Sequence, residues 1–127
     1  MNNRSIPALF LFVLTAFPAA APAAVAAGAV QKSFNGNVSW YGSQFHGKRT
    51  ASGEIFDMNE KTAAHRKLPF STKVLVEDPQ TGNAVIVKVN DRGPYAKNRV
   101  LDLSKGAARK MAMLGRGVIY AECMVIN

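Results

Sequence analysis

The sequence predicts a small, mainly β domain that folds as a closed barrel with one helical insert. At least five short strand-like runs follow one another between turn residues, and a single helical pattern interrupts them. Residues 1–26 look like a leader and residues 27–35 like a short polar lead-in. The remaining residues, 36–127, are enough for one compact domain and no more.

Residues 1–26 have the composition of a cleavable export signal. Arg4 supplies a positive start, an apolar stretch follows, and residues 24–26 (Ala-Val-Ala) fit a small-x-small cleavage site. The apolar stretch is shorter than the roughly 20 residues that a membrane span needs. An uncleaved anchor is the alternative. We expect a periplasmic or secreted protein with no stable membrane anchor after cleavage, since no cysteine follows the leader for lipid attachment.

The first strands of the domain are marked by β-branched and aromatic residues. Residues 38–41 predict a short strand that Gly42 closes. Two further runs, 73–77 and 84–90, are separated by residues typical of turns, so together they predict a β-hairpin.

The second half of the domain changes its period once. Residues 99–103 predict another strand. Ser104 is a good helix N-cap, and apolar residues at helical spacing predict one short helix over 105–114 that ends at Gly115. Residues 118–126 return to a strand pattern, which completes the elements of a small barrel.

Cysteine content and charge exclude several classes of protein. Cys123 is the only cysteine, so no intramolecular disulfide can form, and we expect it to pack as a small buried hydrophobe. The net charge is +8, or +7 from 15 basic and 8 acidic residues if Arg4 leaves with the leader. A basic exported protein meets anionic wall polymers or membrane surface rather than nucleic acid. A generic solvated surface is the alternative.

The most informative candidate for chemistry is Asp91. A β-branched strand ends in the charged turn 90–94 (Asn-Asp-Arg-Gly-Pro), which holds this carboxylate at the end of a rigid element. Carboxylates are natural acid–base groups. The alternative is a structural acid that only accepts backbone N–H bonds in its turn. Arg92 could pair with Asp91 or bind an anionic ligand, and a role as a solvated surface residue is the alternative.

Other polar residues allow the same two interpretations. Glu54 is either a solvated loop acid or a functional one, and His65 is either a hydrogen-bonded structural group or a catalytic one. His65 and His46 are the only histidines and lack metal-ligand spacing, so we expect no metal and no cofactor. Asp102 alternates out of an apolar strand, and we expect it to be a structural acceptor near the helix start.

Aromatic residues are candidates for binding a sugar. Trp40, Tyr41, Phe45 and Tyr95 could each stack on a sugar ring. The alternative is that they belong to the hydrophobic core, as most aromatic residues of a small domain do. We take Arg92, Tyr41, Tyr95 and Trp40 as the candidate substrate-binding residues.

Several segments acquire a more specific meaning because they occur together and in one order. These are residues 39–42 (SWYG), 45–54 (FHGKRTASGE), 62–65 (TAAH), 68–72 (LPFST), 89–94 (VNDRGP) and 99–104 (RVLDLS). In this combination the sequence closely resembles the rare lipoprotein A family of bacterial cell-envelope proteins. The resemblance covers about residues 36–126, which is essentially the whole predicted domain.

The resemblance implies a fold and an activity. The fold is a six-stranded double-psi β-barrel, and the activity is lytic transglycosylase cleavage of the MurNAc–GlcNAc bond of peptidoglycan, which leaves 1,6-anhydro-muramyl ends. Glycan strands without stem peptides are the implied preferred substrate, and cell-division or envelope proteins are possible partners. The family's catalytic acid falls on Asp91, and its supporting functional residues fall on Glu54 and His65.

The sequence departs from the family pattern in two ways. Ser71 stands where the pattern usually has glycine. Many members also carry a lipid-modified cysteine and a C-terminal peptidoglycan-binding repeat domain, and we expect this chain to have neither. Two alternatives to the enzyme therefore stay open: a non-catalytic module that binds peptidoglycan or division proteins, and an expansin-like wall loosener.

Overall fold

A computed structural model describes residues 32–126, so the predicted leader lies outside the described residues. Within this range six strands close into one barrel. The strands are β1 (Ser33–Tyr41), β2 (Thr62–Ala64), β3 (Lys73–Glu77), β4 (Ala84–Asp91), β5 (Arg99–Ser104) and β6 (Ile119–Val125). A short 3-10 helix (Ser43–Phe45) follows β1, and α1 (Lys105–Lys110) joins β5 to β6. The predicted six-stranded double-psi β-barrel with one short helix is confirmed.

The strand order around the barrel is β1-β5-β2-β4-β3-β6, and β6 then pairs with β1. The β1·β5 and β2·β4 pairs are parallel, and the other four pairs are antiparallel. The predicted hairpin is confirmed, because β3 and β4 pair antiparallel from Lys73 opposite Lys88 to Glu77 opposite Ala84. No helix in the described range is long and apolar enough to cross a membrane.

Alternate residues of the strands fill the interior of the barrel. Fully buried side chains include Val38, Val74, Val76, Val87, Val89, Leu101 and Leu103. Cys123 packs among them as predicted, and burial raises the pKa of its thiol to about 12. The thiol is therefore protonated at neutral pH, and it contributes to the core as a small apolar group.

Two strand predictions differ from the structure at the start of the domain. The first strand begins at Ser33 and not at Val38, because residues 33–38 pair antiparallel with β6. Three residues assigned to the polar lead-in therefore belong to the barrel. β2 was not predicted, since its three small residues are buried on both faces and show no alternation.

The helix is shorter than predicted. It ends at Lys110, and Ala112 adopts a left-handed φ of 56°, so the chain turns before it reaches Gly115. The turn places both Met111 and Met113 in the core, where each is fully buried. Burial of two large apolar side chains explains why this conformation replaces another turn of helix.

Ser71, the departure from the family pattern, also takes a left-handed backbone conformation. Its φ is 75°, in the region that favours glycine because a Cβ atom is strained there. The backbone N–H of Ser71 donates to the carbonyl oxygen of Val89 at 2.8 Å, which holds the turn against β4. The structure thus explains the glycine that the family usually has at this position.

A buried carboxylate connects the β3–β4 turn to the segment that precedes β6. Asp78 is only 2% exposed; its Oδ1 accepts the backbone N–H of Gln80 at 2.9 Å, and its Oδ2 pairs with Arg116 at 3.2 Å. Burial alone raises the pKa of Asp78. The bonds from Gln80 and Arg116 outweigh burial and hold the pKa below its ordinary value of 3.8.

We expect Asp78 to make the domain sensitive to acid. A carboxyl whose pKa is lower in the folded chain stabilises the fold above its unfolded pKa, and this contribution disappears as the pH falls through the folded pKa. The free energy of unfolding should therefore drop below about pH 4. Asp78→Asn should lower the free energy of unfolding by about 2 kcal/mol at neutral pH, since a buried charged acceptor is lost. It should also reduce the loss of stability between neutral and acid pH.

Urea denaturation between about pH 2.5 and pH 7 measures both effects. The matched control is Glu77→Gln, which changes the exposed neighbouring acid and should leave the curve close to that of the unmodified protein. If Asp78→Asn lost as much stability in acid as the unmodified protein, other groups would be the cause of the acid sensitivity.

Candidate functional site

Two carboxyl groups line one groove on the barrel surface, one on each side of β2. Its volume is about 210 Å³, and its lining residues are Tyr41, Phe45, Ala64, Asp91, Arg92 and Asp102. Ala64 pairs with Asp91 on one side and with Asp102 on the other. The two acids thus lie two strand spacings apart, about 10 Å between backbones. The small side chain of Ala64 leaves the floor between them open.

An irregularity in strand pairing turns Asp91 into this groove. Ala63 lies opposite Val89, and the next residue, Ala64, lies opposite Asp91, so the register skips Asn90. Strict alternation would turn Asp91 to the same face as Val89, which is fully buried. The extra residue acts as a β-bulge and re-aims the carboxylate to the face of Ala64.

From the described residues the carboxylate of Asp91 accepts three hydrogen bonds, which divide unequally between its oxygens. Oδ1 accepts the backbone N–H groups of Ala51 at 3.0 Å and Arg92 at 2.9 Å. Among residues 32–126, the hydroxyl of Tyr41 donates to Oδ2, at 3.3 Å. Oδ1 is therefore committed to the backbone, whereas Oδ2 faces a longer and weaker bond.

Tyr41 is the last residue of β1, and its ring is fixed by two other aromatic rings. It stacks on Phe56 with 4.9 Å between centroids and meets Phe45 edge-on at 5.5 Å. Burial, then the negative charge and the hydrogen bond of Asp91, and last the negative charge of Asp102 raise the pKa of Tyr41 well above its ordinary value of 10.0. Its hydroxyl therefore stays protonated and available as a hydrogen-bond donor.

Asp102 is a groove residue that sequence reasoning did not include among the site candidates. Its Oδ1 accepts the hydroxyl of Ser39, so the expected structural hydrogen bond exists. It also lines the groove opposite Asp91, which only the barrel pairing reveals. The sequence did carry one signal: an acid between two leucines of a strand must lie on the face opposite the core.

Arg92 lines the groove, but its guanidinium bonds to the neighbouring loop. Nη1 donates to the carbonyl oxygens of His65 at 3.2 Å and Leu68 at 2.9 Å, and the guanidinium lies 3.9 Å from the centre of the Phe70 ring. Within residues 32–126 no ion pair joins it to Asp91. Arg92 therefore fixes the wall of the groove, and its predicted role in binding substrate stays a prediction.

Glu54 lies outside the set of groove-lining residues and contacts β4. Its Oε2 pairs with Lys88 at 2.9 Å, and its Oε1 accepts the side-chain amide of Asn90 at 3.2 Å. These hydrogen bonds, first from Lys88 and then from Asn90, lower the pKa of Glu54. The same loop supplies the Ala51 N–H to Asp91, so Glu54 is linked to the groove through the backbone of residues 50–54.

His65 also lies outside the groove lining, directly after Ala64. Its Nδ1 accepts the backbone N–H groups of Lys67 and Leu68, both at 3.0 Å, and its ring meets Phe34 edge-on at 5.2 Å. Burial is the first cause that lowers its pKa from 6.5, and positive neighbours add to it. Asp91 lines the groove, whereas His65 lines a neighbouring depression, and the catalytic roles of Glu54 and His65 stay predictions.

The two remaining aromatic candidates have different environments. Trp40 is half-buried and packs against the hydrophobic core, which agrees with the core alternative. Tyr95 is 79% exposed and follows the turn that ends β4. Neither is among the described residues that line the groove, so their sugar-binding roles stay predictions.

In the part of the chain that the structure describes, histidine, cysteine and acidic side chains form no group of three that could hold a metal ion. Asp91 and Asp102 lie on opposite sides of the groove floor and have separate hydrogen-bond partners. Two carboxyl groups in one groove are an arrangement that can supply acid–base chemistry.

A family model described as "Lytic transglycolase" matches residues 33–122, a range that contains every groove-lining residue. The chain belongs to the lytic transglycolase family. This membership confirms the resemblance on which the fold was predicted.

Curated relatives of this lytic transglycolase domain carry a related name. "Endolytic peptidoglycan transglycosylase RlpA" of Neisseria meningitidis serogroup A is 48% identical over 87 residues, which are 68% of this chain and 36% of that protein. "Probable endolytic peptidoglycan transglycosylase RlpA" of Aquifex aeolicus is 52% identical over 96 residues, 76% of this chain and 42% of that protein. The chain thus spans less than half the length of these relatives.

Solved structures of other proteins share the barrel of this lytic transglycolase domain. Streptomyces papain inhibitor matches with a TM-score of 0.60 and 23% identity over 74% of this chain and 93% of that one. An expansin of Clavibacter michiganensis matches with a TM-score of 0.61 and 20% identity over 76% of this chain and 51% of that one. At such identities the likeness shows the fold alone.

Proposed function

We propose that this chain is a peptidoglycan lytic transglycosylase that cleaves the MurNAc–GlcNAc bond and prefers glycan strands without stem peptides. The observation that carries the proposal is the position of Asp91 at the end of β4, opposite Asp102 in an open groove. The names of the curated relatives support the same reaction class. The leader-like residues 1–26 support action in the periplasm or outside the cell.

The proposed reaction needs one group that first gives and then takes a proton. Protonated Asp91 donates to the glycosidic oxygen, and the bond from that oxygen to C1 of the muramyl residue breaks. The muramyl 6-hydroxyl attacks C1, closes the 1,6-anhydro ring and returns its proton to Asp91. Atoms balance without water, which distinguishes this reaction from glycoside hydrolysis.

The hydrogen bonds of Asp91 indicate which oxygen carries the proton. Oδ1 accepts two backbone N–H groups and is not free to hold one. In the described part of the chain the partner of Oδ2 is the hydroxyl of Tyr41, at 3.3 Å, and a glycosidic oxygen can replace this partner. A tyrosine hydroxyl can donate or accept, so it accommodates both protonation states of Asp91.

Asp102 contributes charge in the proposed mechanism. Positive charge develops on the sugar as the glycosidic bond breaks. The carboxylate of Asp102 faces the same groove, is oriented by Ser39 and stabilises that charge. Asp91 then acts alone in proton transfer, and the second acid has an electrostatic role.

Incubation of the protein with glycan strands stripped of stem peptides, followed by mass analysis, tests the proposal. The expected products are chain ends lighter by one water than those of hydrolysis. Ends that carry the added water would indicate a hydrolase. Co-sedimentation with peptidoglycan without new ends would favour the non-catalytic binding module instead.

Glu54 should act through its loop and not by transferring protons. In Glu54→Gln the amide oxygen can still accept from Lys88 or Asn90, which hold the loop on β4. We expect kcat/KM to stay within about threefold of the unmodified protein, because an exposed ion pair contributes only about 0.5 kcal/mol. Lys88→Met should cause a similarly small change.

The release of anhydro ends by Glu54→Gln and Lys88→Met, measured side by side, checks this expectation. If Glu54 transferred a proton, the same substitution would lower the rate of anhydro-end release by about a hundredfold or more. A loss of that size in Glu54→Gln alone would place Glu54 in the chemistry.

A further inference from the structure

A second depression lies beside the groove and has basic and apolar sides. Its volume is about 300 Å³, and we call it the basic pocket; its main lining residues are Lys32, Phe34, His65, Lys67, Leu68 and Pro69. No acidic residue is among the described residues that line it. A ligand held here should therefore carry negative charge.

His65 lines the basic pocket, and backbone hydrogen bonds fix which of its ring nitrogens is a donor. Its Nδ1 accepts the backbone N–H groups of Lys67 and Leu68, so Nδ1 carries no proton and Nε2 does. The edge-on contact with Phe34 fixes the ring from another side. Burial together with nearby positive charge keeps the pKa of His65 below 6.5, so the ring is a neutral N–H donor at neutral pH.

The other lining residues of the basic pocket indicate which chemical groups its ligand carries. Lys32 and Lys67 are exposed and offer ammonium groups, which suit a carboxylate. Phe34, Leu68 and Pro69 form an apolar side. The pocket therefore suits a small acid that carries an apolar group next to its carboxylate.

The basic pocket and the groove share one wall. Ala64 lines the groove and the next residue, His65, lines the pocket, so their Cα atoms are about 3.8 Å apart. The backbone N–H of His65 donates to the carbonyl oxygen of Asp91 at 3.1 Å, and Arg92 donates to the carbonyl oxygen of His65. The groove and the basic pocket are therefore neighbouring sites.

We propose that the basic pocket binds the free lactyl carboxylate of a muramyl residue. This inference rests on the proposed function, because it assumes that the groove takes a muramyl glycan. The lactyl group is a small acid with a methyl group beside its carboxylate, which matches the two sides of the pocket. A stem peptide converts this carboxylate into a neutral amide, so the pocket selects strands from which the peptide has been removed.

A titration followed by NMR tests the proposal on the unmodified protein without any cleavage. The probes are the methyl glycoside of N-acetylmuramic acid, the same sugar with its lactyl group as an amide, and acetate. The acid should shift the ring signals of His65 and the backbone amides of Lys67 and Leu68. It should bind about tenfold more tightly than the amide, because charged hydrogen bonds are lost in the amide.

Variants locate the preference in the chain. Lys32→Met combined with Lys67→Met should abolish the difference between acid and amide, whereas Lys110→Met, an exposed lysine of α1, should leave it intact. Equal affinity of acid and amide, or a preference that survives in the double variant, would overturn the proposal. Acetate binding as tightly as the muramyl acid would also overturn it, since the site would then be a general carboxylate site.

The enzyme activity and the lactyl site are tested separately, so either proposal can be overturned without the other. If glycan strands give no anhydro ends but the acid preference holds, the enzyme assignment is wrong and the lactyl site stands as a binding site. If anhydro ends form and the preference is absent, the enzyme stands and the lactyl site is wrong.

Discussion

Replacement of Asp91 by asparagine should lower the rate of anhydro-end formation by about a hundredfold or more. Asparagine has the same shape, and its amide oxygen can still accept the backbone N–H groups of Ala51 and Arg92. The backbone around the groove should therefore stay in place. The amide group that replaces Oδ2 cannot hand a proton to the glycosidic oxygen, and this is the physical reason for the expected loss.

The assay is mass analysis of products from denuded glycan strands over a time course, with thermal unfolding as a check on folding. Glu122→Gln is the control, because it removes an exposed acid of β6 on a different part of the barrel. It should keep the full rate. Activity of Asp91→Asn at the rate of the unmodified protein would rule out Asp91 as the proton donor and leave the turn-capping interpretation.

Gly106→Ala should destabilise the domain by about 3 kcal/mol, although alanine normally favours a helix. Gly106 lies in α1, and a Cβ atom there would come within 2.4 Å of the carbonyl oxygen of Asn59 and 2.7 Å of its carbonyl carbon. Both are backbone atoms and cannot rotate away. The Gly106 N–H also donates to the carbonyl oxygen of Met58 at 2.7 Å, so a shift of the helix would break that bond.

Gly115→Ala provides the matched control for this substitution. A Cβ atom at Gly115 meets nothing within 4 Å, and the φ of Gly115 is not positive. Its stability should change by less than about 0.5 kcal/mol. Urea denaturation of both variants measures the difference, and equal stability would show that the segment from Met58 to Asn59 adapts without cost.

The fold could be predicted largely from local pattern. The β3–β4 hairpin, β5 and β6 follow from β-branched or alternating runs between turn residues, and each run can be recognised from a few neighbouring residues. β2 could not be found in this way, because three small buried residues have no period of their own. The end of the helix was not predicted correctly either. The helix stops before Gly115 because the turn at Ala112 buries Met111 and Met113.

The candidate site was predicted less completely than the fold. Asp91, Tyr41 and Arg92 were identified in the sequence and line one groove. Glu54 and His65 were grouped with Asp91, but their side chains bond to β4 and to the 67–68 backbone respectively. Asp102 was left out because its nearness to Asp91 arises only when both pair with the same short strand.

The sequence by itself determined that a carboxylate would end a rigid strand, because a β-branched run is followed by the turn residues Asn-Asp-Arg-Gly-Pro. It could not determine where that carboxylate points. Strict alternation would turn Asp91 toward the core, and the residue skipped at Asn90 in the pairing with β2 turns it into the groove opposite Asp102. Register between distant strands is a property of the closed barrel and is decided only by tertiary structure.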